Sequence, residues 1–197
     1  MYFTRKGILF IISGPSGVGK GTLKRALLSK MSDMRVSVSV TTRLPRDGEI
    51  EGKHYFFVNH HEFEEMKKRN EFLECAEVYT NSYGTPRSFV MDNLERGCDV
   101  LLEIDIQGAL QVKHSMPSGV FIFISPPNME ELASRLLSRG QDSQDSIYLR
   151  LAASEDELKQ IKCYDYLVIN DEIDEALEKI KAIIVAERCR LENIDLR

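Results

Sequence analysis

Tryptophan is absent from this chain of 197 residues, and cysteine, histidine and proline are scarce at four, four and six. Cys75, Cys98, Cys163 and Cys189 lie 23, 65 and 26 residues apart, which suits neither a disulfide framework nor a CxxC zinc or redox pair. A reducing cytosol is therefore the expected location. His54, His60, His61 and His114 show no HxxxH or HExxH spacing, so no protein-caged transition metal is expected. Nor is there an apolar run near the ~20 residues that a bilayer span needs, which excludes a membrane helix. Positive charge is also in deficit: 26 basic against 31 acidic side chains leave a net charge of −5. No global basic field is available to hold a polynucleotide by its phosphates, and any phosphate site must be local.

What the chain does have is 43% hydrophobic residues, enough for the core of one ordinary domain. Arg5 and Lys6 precede Ile8-Leu9-Phe10-Ile11-Ile12, but this run enters a glycine loop, so it reads as a buried strand and not a signal peptide. Further strands are expected at Arg35 to Val40, Tyr55 to Val58, Val100 to Ile104, Val120 to Ile124 and Tyr166 to Ile169. The runs starting at Ile8, Val100 and Val120 are apolar throughout, the mark of parallel strands covered on both faces. Helical spacing joins Leu23, Ala26, Leu27 and Met31, then Leu132, Leu136 and Leu137, and then Ile173, Ala176, Leu177, Ile180 and Ile184. The alternation predicts a three-layer α/β fold with a parallel core sheet built from residues 1–35, 86–127 and 163–197. An antiparallel insertion is expected at 36–85 and a helical lid region at 128–162, with Ser138-Arg139-Gly140-Gln141-Asp142-Ser143 breaking one helix and starting the next.

Gly14-Pro15-Ser16-Gly17-Val18-Gly19-Lys20 lies between the first buried strand and the first amphipathic helix, where a P-loop must sit. Its glycines let successive N–H groups turn inward, and the helix that follows adds the positive end of its dipole. Lys20 can then bridge the β- and γ-phosphates of a nucleoside triphosphate. The strict pattern has Ser or Thr directly after the lysine, whereas here Gly21 comes first and Thr22 second. Thr22 and Ser16 are both candidates for the hydroxyl that meets Mg²⁺.

A phosphate loop alone suits a GTPase, a motor or a kinase, so a second site must decide. Residues 34–46 hold Arg35, Arg43 and Arg46 and no acid. Arg43 and Arg46, beside the proline-stiffened turn at Pro45, can clamp a phosphate with forked donors, helped by the Tyr55 and Tyr83 hydroxyls; the plainer alternative is solvated surface arginines. A guanine edge presents N1–H and N2–H₂ as donors and O6 as acceptor. Glu74 is a candidate for the donors, with Ser39 and Thr85 for O6. Asp105 closes the run Val100 to Asp105 at the carboxyl edge of the sheet, where ligands bind in open α/β folds. It can orient metal-bound water or contact the base, while Glu103 can support a basic neighbour. Arg135 and Arg139, four apart, and Arg150 in the next helix can meet the charge that spreads over a transferring phosphoryl group.

Together these motifs resemble the guanylate kinase family of P-loop nucleoside monophosphate kinases, from Gly7 to about Arg188. The resemblance is carried by Ser13 to Thr22, Ser39 to Glu49, His54 to Val58, Tyr83 to Thr85, Ile104 to Gly108 and Ser138 to Ser143. It implies a P-loop kinase fold with a GMP-binding insertion and a lid, and Mg²⁺-dependent transfer of a phosphoryl group from ATP to GMP. It also implies an ATP site at Gly14 to Thr22 with Asn170 beside the adenine, and a GMP site of Ser39, Arg43, Arg46, Tyr55, Glu74, Tyr83, Thr85 and Asp105. Lys20, Arg43, Arg135, Arg139 and Arg150 would serve the transfer, with no nucleic acid or membrane as partner. Glu103 stands where the family usually has Asp, and Ser82 where a second Tyr is common. The rivals are a catalytically silent interaction module of the same fold and a monophosphate kinase for another base, such as AMP or dTMP.

Overall fold

The computed structural model describes residues 3–78, 80–138 and 144–196. In chain order these form β1 (Phe3–Arg5), β2 (Leu9–Ser13), α1 (Lys20–Lys30), β3 (Arg35–Val36), β4 (Val40–Thr41), β5 (Phe56–Phe57), α2 (His60–Lys68), β6 (Phe72–Val78) and β7 (Asn81–Pro86). There follow α3 (Arg87–Glu95), β8 (Val100–Glu103), α4 (Ile106–Ser115), β9 (Val120–Ser125), α5 (Met129–Ser138), α6 (Gln144–Leu158), β10 (Tyr166–Ile169), α7 (Ile173–Arg188) and β11 (Ile194–Leu196). The core sheet is parallel throughout, in the order β10-β9-β2-β8-β3.

Alternate side chains of the central strands feed two apolar layers. Phe10, Ile12, Ile122 and Ile124 pack with Leu23 and Leu27 of α1, Leu132 and Leu136 of α5, and Ala176, Leu177, Ile180 and Ile184 of α7. Leu9, Ile11, Leu102 and Phe121 pack on the other face with Val90 of α3 and Ala109 and Val112 of α4. Two residues predicted for these helix faces lie outside them. Leu137 is 59% exposed, because five residues on from Leu132 the helix has turned about 140° away from its buried stripe. Ile173 is 43% exposed because it begins α7 beyond the end of β10.

The expected strand at Arg35 to Val40 is two strands in two sheets. β3 pairs with β8 of the core, whereas β4 belongs to a second sheet ordered β5-β4-β7-β6. That sheet is antiparallel except for the short β4–β5 pair, and its main hairpin, β6–β7, was not among the six strands expected from sequence. Phe63 of α2 stacks on Phe72 of β6 with ring centroids 4.6 Å apart, forming with Val40 a small core of its own.

A third pairing, β1 antiparallel to β11, closes over a buried carboxylate. Asp99 has no exposed surface; it bonds Arg5 and accepts from the Ile8 N–H at 3.0 Å and Arg188 Nε at 2.7 Å. Removing one partner of such a buried set leaves the others uncompensated. Asp99→Ala is expected to lower the unfolding free energy by about 3 kcal/mol or more in urea denaturation, while nucleotide KM values stay unchanged.

Candidate active site

β2 ends at Ser13, and the chain must reverse into α1 without leaving the sheet edge. Gly14, Gly17 and Gly19 make that turn at φ 145°, 93° and 98°. At Gly14 a Cβ would come within 2.1 Å of the Ile124 carbonyl oxygen, at Gly17 within 2.7 Å of Leu136 Cδ2 and at Gly19 within 2.6 Å of Asn170 Nδ2, so at all three positions a side chain would be crowded, and all three are turned to positive φ. Gly19 is also the N-cap of α1 and brings no capping side chain, and the first turn holds no acid. The amide groups that Asn59 satisfies on α2 have no such side-chain partner on α1, and a helix start of this kind can take an anion. Lys20 folds back over the loop, its Nζ donating to the carbonyls of Gly14 at 2.5 Å and Pro15 at 3.0 Å. Asn170, 2% exposed, ties the loop to β10 by donating to Val18 O at 2.7 Å, and its Oδ1 has no hydrogen-bond partner among the described residues. A cleft of about 390 Å³ opens here, lined by Gly17, Gly19, Thr22, Arg135, Asn170 and Ile173. A larger hollow of about 860 Å³ lies at the amino ends of the strands beside Lys6, Tyr166 and Arg190, away from the phosphate loop.

The second sheet assembles the other predicted set. Thr85 faces Glu74 across the β6–β7 pair, and its hydroxyl donates to Glu74 Oε1 at 2.6 Å, with both residues buried. Burial pushes the Glu74 carboxyl up to about 7; the Thr85 hydrogen bond pulls it down and the charge of Asp105 pushes it further up. Asp105 caps α4, Oδ1 accepting from the Gly108 N–H at 2.7 Å. Tyr55 and Tyr83 meet edge-on at 6.0 Å, and the Arg43 guanidinium lies 5.4 Å from the Tyr55 ring centre. Burial, then the charge of Glu103, pushes the Tyr55 phenol up. Ser39 is half-buried beside β4, its carbonyl accepting from the Phe56 N–H, while Arg46 is exposed.

Several partners were not foreseen. Glu49 takes both oxygens to Arg43 Nη2, at 2.8 and 2.9 Å, and also accepts from the Arg46 N–H. The Arg43 hydrogen bond holds the Glu49 carboxyl below its ordinary value. Lys24 pairs with Glu103 at 2.5 Å, which realises the supporting role considered for that acid. Arg135 is held by Glu131 at 2.8 Å and by the carbonyls of Asn170 and Asp171, and Arg150 reaches Ser16 Oγ at 3.4 Å. Arg139, with the expected lid segment Gly140 to Ser143, lies outside the described residues. Glu157 of α6 sits close enough to feel Lys20 and Asp105; burial, the larger effect, pushes its carboxyl up. The i,i+4 spacing of Glu131 and Arg135 was a usable signal, whereas nothing local marks Glu157. Cys75 follows Glu74 but faces the other way, packing with Val40, Phe63 and Phe72, and burial pushes its thiol up.

The family model described as guanylate kinase matches residues 6–187. A guanylate kinase of Syntrophomonas wolfei is 67% identical over 193 residues, 98% of this chain and 99% of its own. One from Caldanaerobacter subterraneus is 53% identical over 197 residues, 100% of this chain and 96% of its own. The crystal structure of guanylate kinase from Anaplasma phagocytophilum superposes with a TM-score of 0.83 at 36% identity, covering 98% of this chain and 92% of that one.

The raised Glu74 value carries a stability consequence. Between its ordinary 4.5 and about 7 the native state keeps a proton that the unfolded chain has released. This group's stabilisation is therefore complete below pH 4.5 and is lost as pH rises through 7. Urea denaturation across that window is expected to show Glu74→Gln gaining stability relative to the wild type as pH increases.

Proposed function

This chain belongs to the guanylate kinase family, and from that premise we propose that it moves the γ-phosphoryl group of ATP to GMP, leaving ADP and GDP. The observation that carries this reading is the meeting of two sites at the carboxyl edge of one sheet. The α1 helix, with no side-chain cap, and its lysine loop follow β2, while Asp105, two residues beyond β8, acts electrostatically on Glu74 of the insertion and on Glu157 beside Lys20. This coupling supports the reading that donor tail and acceptor base share one cleft at the carboxyl edge of the sheet.

In this reading the amides of Gly14 to Thr22 and Lys20 hold the ATP phosphates, and Asn170 lies by the adenine. Arg43, Arg46, Tyr55 and Tyr83 grip the GMP phosphate. Glu74, as the carboxylate, accepts from the two guanine donors, with Ser39 and Thr85 toward O6 and Asp105 at the base edge. An oxygen of the GMP phosphate attacks the γ-phosphorus in line as the bond to the β-phosphate oxygen breaks; ADP leaves, and no covalent enzyme intermediate forms. Arg135, Arg139 and Arg150 neutralise the moving charge, and the 128–162 region excludes water as a competing acceptor. Residues 36–85 act as the acceptor-binding insertion.

Mg²⁺ fits the residues present. A hard cation takes oxygen ligands and can arrive on the phosphates with most of its own water. Thr22 offers a hydroxyl in the cleft, and among the described residues no cluster of three His, Cys, Asp or Glu competes as a caged site. Thr22 would hold the ion when it is bound with ATP, and the ion would supply neutralisation of the triphosphate charge. The intact Lys20 loop and the arginine set favour the enzyme over a silent module.

A coupled ADP-release assay with GMP, AMP, CMP and dTMP tests the assignment. GMP is expected to be preferred by orders of magnitude; equal use of AMP or dTMP would move the base specificity elsewhere. Lys20→Ala should cost roughly 10³-fold in kcat, chelation of divalent cations should stop turnover, and a variant that turns over like wild type would refute the role given to the loop.

A further inference from the structure

The Glu74 carboxylate is not aimed by its own strand alone. The β6–β7 register slips between Phe72 and Glu74, a bulge of the kind that re-aims a side chain. Opposite it lies the first turn of α4, where the residue in contact is Gly108. A Cβ there would stand 2.5 Å from Glu74 Oε2, 3.1 Å from its Cδ and 3.6 Å from Asp105 Oδ1. The bare backbone of Gly108 is thus the wall against which the second carboxylate oxygen rests, while Thr85 holds the first.

Three residues on, and so on the same side of the helix, Gln111 clasps β6 by its backbone. Its Nε2 donates to Cys75 O at 2.8 Å, and its Oε1 accepts from the Cys75 N–H at 3.2 Å. β6 is the edge strand of the second sheet, so these two backbone groups face outward from it. The clasp fixes β6 along α4 immediately beside Glu74. Helix and strand come from different sheets, and this contact ties the acceptor-binding insertion to the core.

We propose that Gly108 and Gln111 are positioning residues that set discrimination for guanine, by fixing where the Glu74 carboxylate meets the 2-amino and N1 donors of the base. The proposal rests on the reading of Glu74 as base reader. A methyl group at 108 meets the far end of a flexible side chain and not backbone, so it displaces the carboxylate while sparing the fold. Loss of the amide at 111 frees β6 to slide on the helix, at a contact exposed enough for water to take over the two hydrogen bonds.

The test measures kcat and KM with GMP and with inosine monophosphate, which lacks the 2-amino donor, for wild type, Glu74→Gln, Gly108→Ala and Gln111→Ala. The ratio of kcat/KM for GMP over inosine monophosphate is expected to fall roughly tenfold in Gly108→Ala and Gln111→Ala. The change should come through KM for the monophosphate, with KM for ATP and kcat within about twofold of wild type. A wild-type ratio in both variants overturns the proposal, whether the two activities fall together or not at all. If Glu74→Gln itself keeps the ratio, the base-reading assignment fails; if it loses the ratio while the other two keep it, only the positioning role does. Should Gly108→Ala not fold, Gln111→Ala decides alone, and Gln111→Glu, which keeps the acceptor for the Cys75 N–H, is expected to fall between it and wild type.

Discussion

Burial of β2 on both faces is the constraint on which the cleft depends. A strand with no solvent-facing side can present chemistry only at its ends, and the carboxyl end of β2 is where the backbone must turn into α1. The turn has little room: the Ile124 carbonyl sits where a Gly14 side chain would be, and Leu136 crowds Gly17. What remains at these positions is backbone alone. The glycine pattern of the loop is thus a product of packing: the elements that build the core also exclude a side chain at three of its positions, which suits the loop to the anion-binding role proposed for it.

The cleft is rich in cations although the chain is acidic overall, and the structure reconciles the two by pairing. Arg43 is held by Glu49, Lys24 by Glu103, Arg135 by Glu131, and Lys20 by carbonyls of its own loop. Such partners keep long side chains ordered near the site. In the reading proposed above, a phosphate arriving at Lys20 or Arg43 exchanges one oxygen partner for another, so discrimination between anions rests on geometry more than on raw charge. Glu74 is the contrasting case, a buried carboxyl with a hydroxyl and a glycine for neighbours, which burial and then the charge of Asp105 push up to about 7 against the pull of the Thr85 hydrogen bond.

How much of this was legible in the sequence follows the range of the interactions. Period counting found the central strands because burial on both faces makes them apolar throughout, and it found the β2–α1 loop because glycines must mark it. It ran Arg35 to Val40 together because Ser37, Val38 and Ser39 carry no glycine or proline where the chain passes from one sheet to the other. The β6–β7 hairpin escaped because polar residues break its apolar alternation on both faces, Glu74 and Thr85 on one and Glu77 and Ser82 on the other. The β1–β11 pair joins segments far apart in the chain, which no local pattern reports. In the site, residue types at fixed offsets pointed to Lys20, Glu74, Thr85 and the arginines. The hold of Glu49 on Arg43 and the clasp of Gln111 depend on loop and helix placement, so they emerged only from the fold.

The Gln111 clasp has a second effect, on colloidal behaviour. An uncovered outer strand offers its main chain as a template on which another polypeptide can zip up, the usual first step toward clumping. At the middle of β6 that invitation is withdrawn, since an amide side chain already fills the paired donor and acceptor an incoming strand would need. One glutamine thereby makes the second sheet a poor seed for self-association.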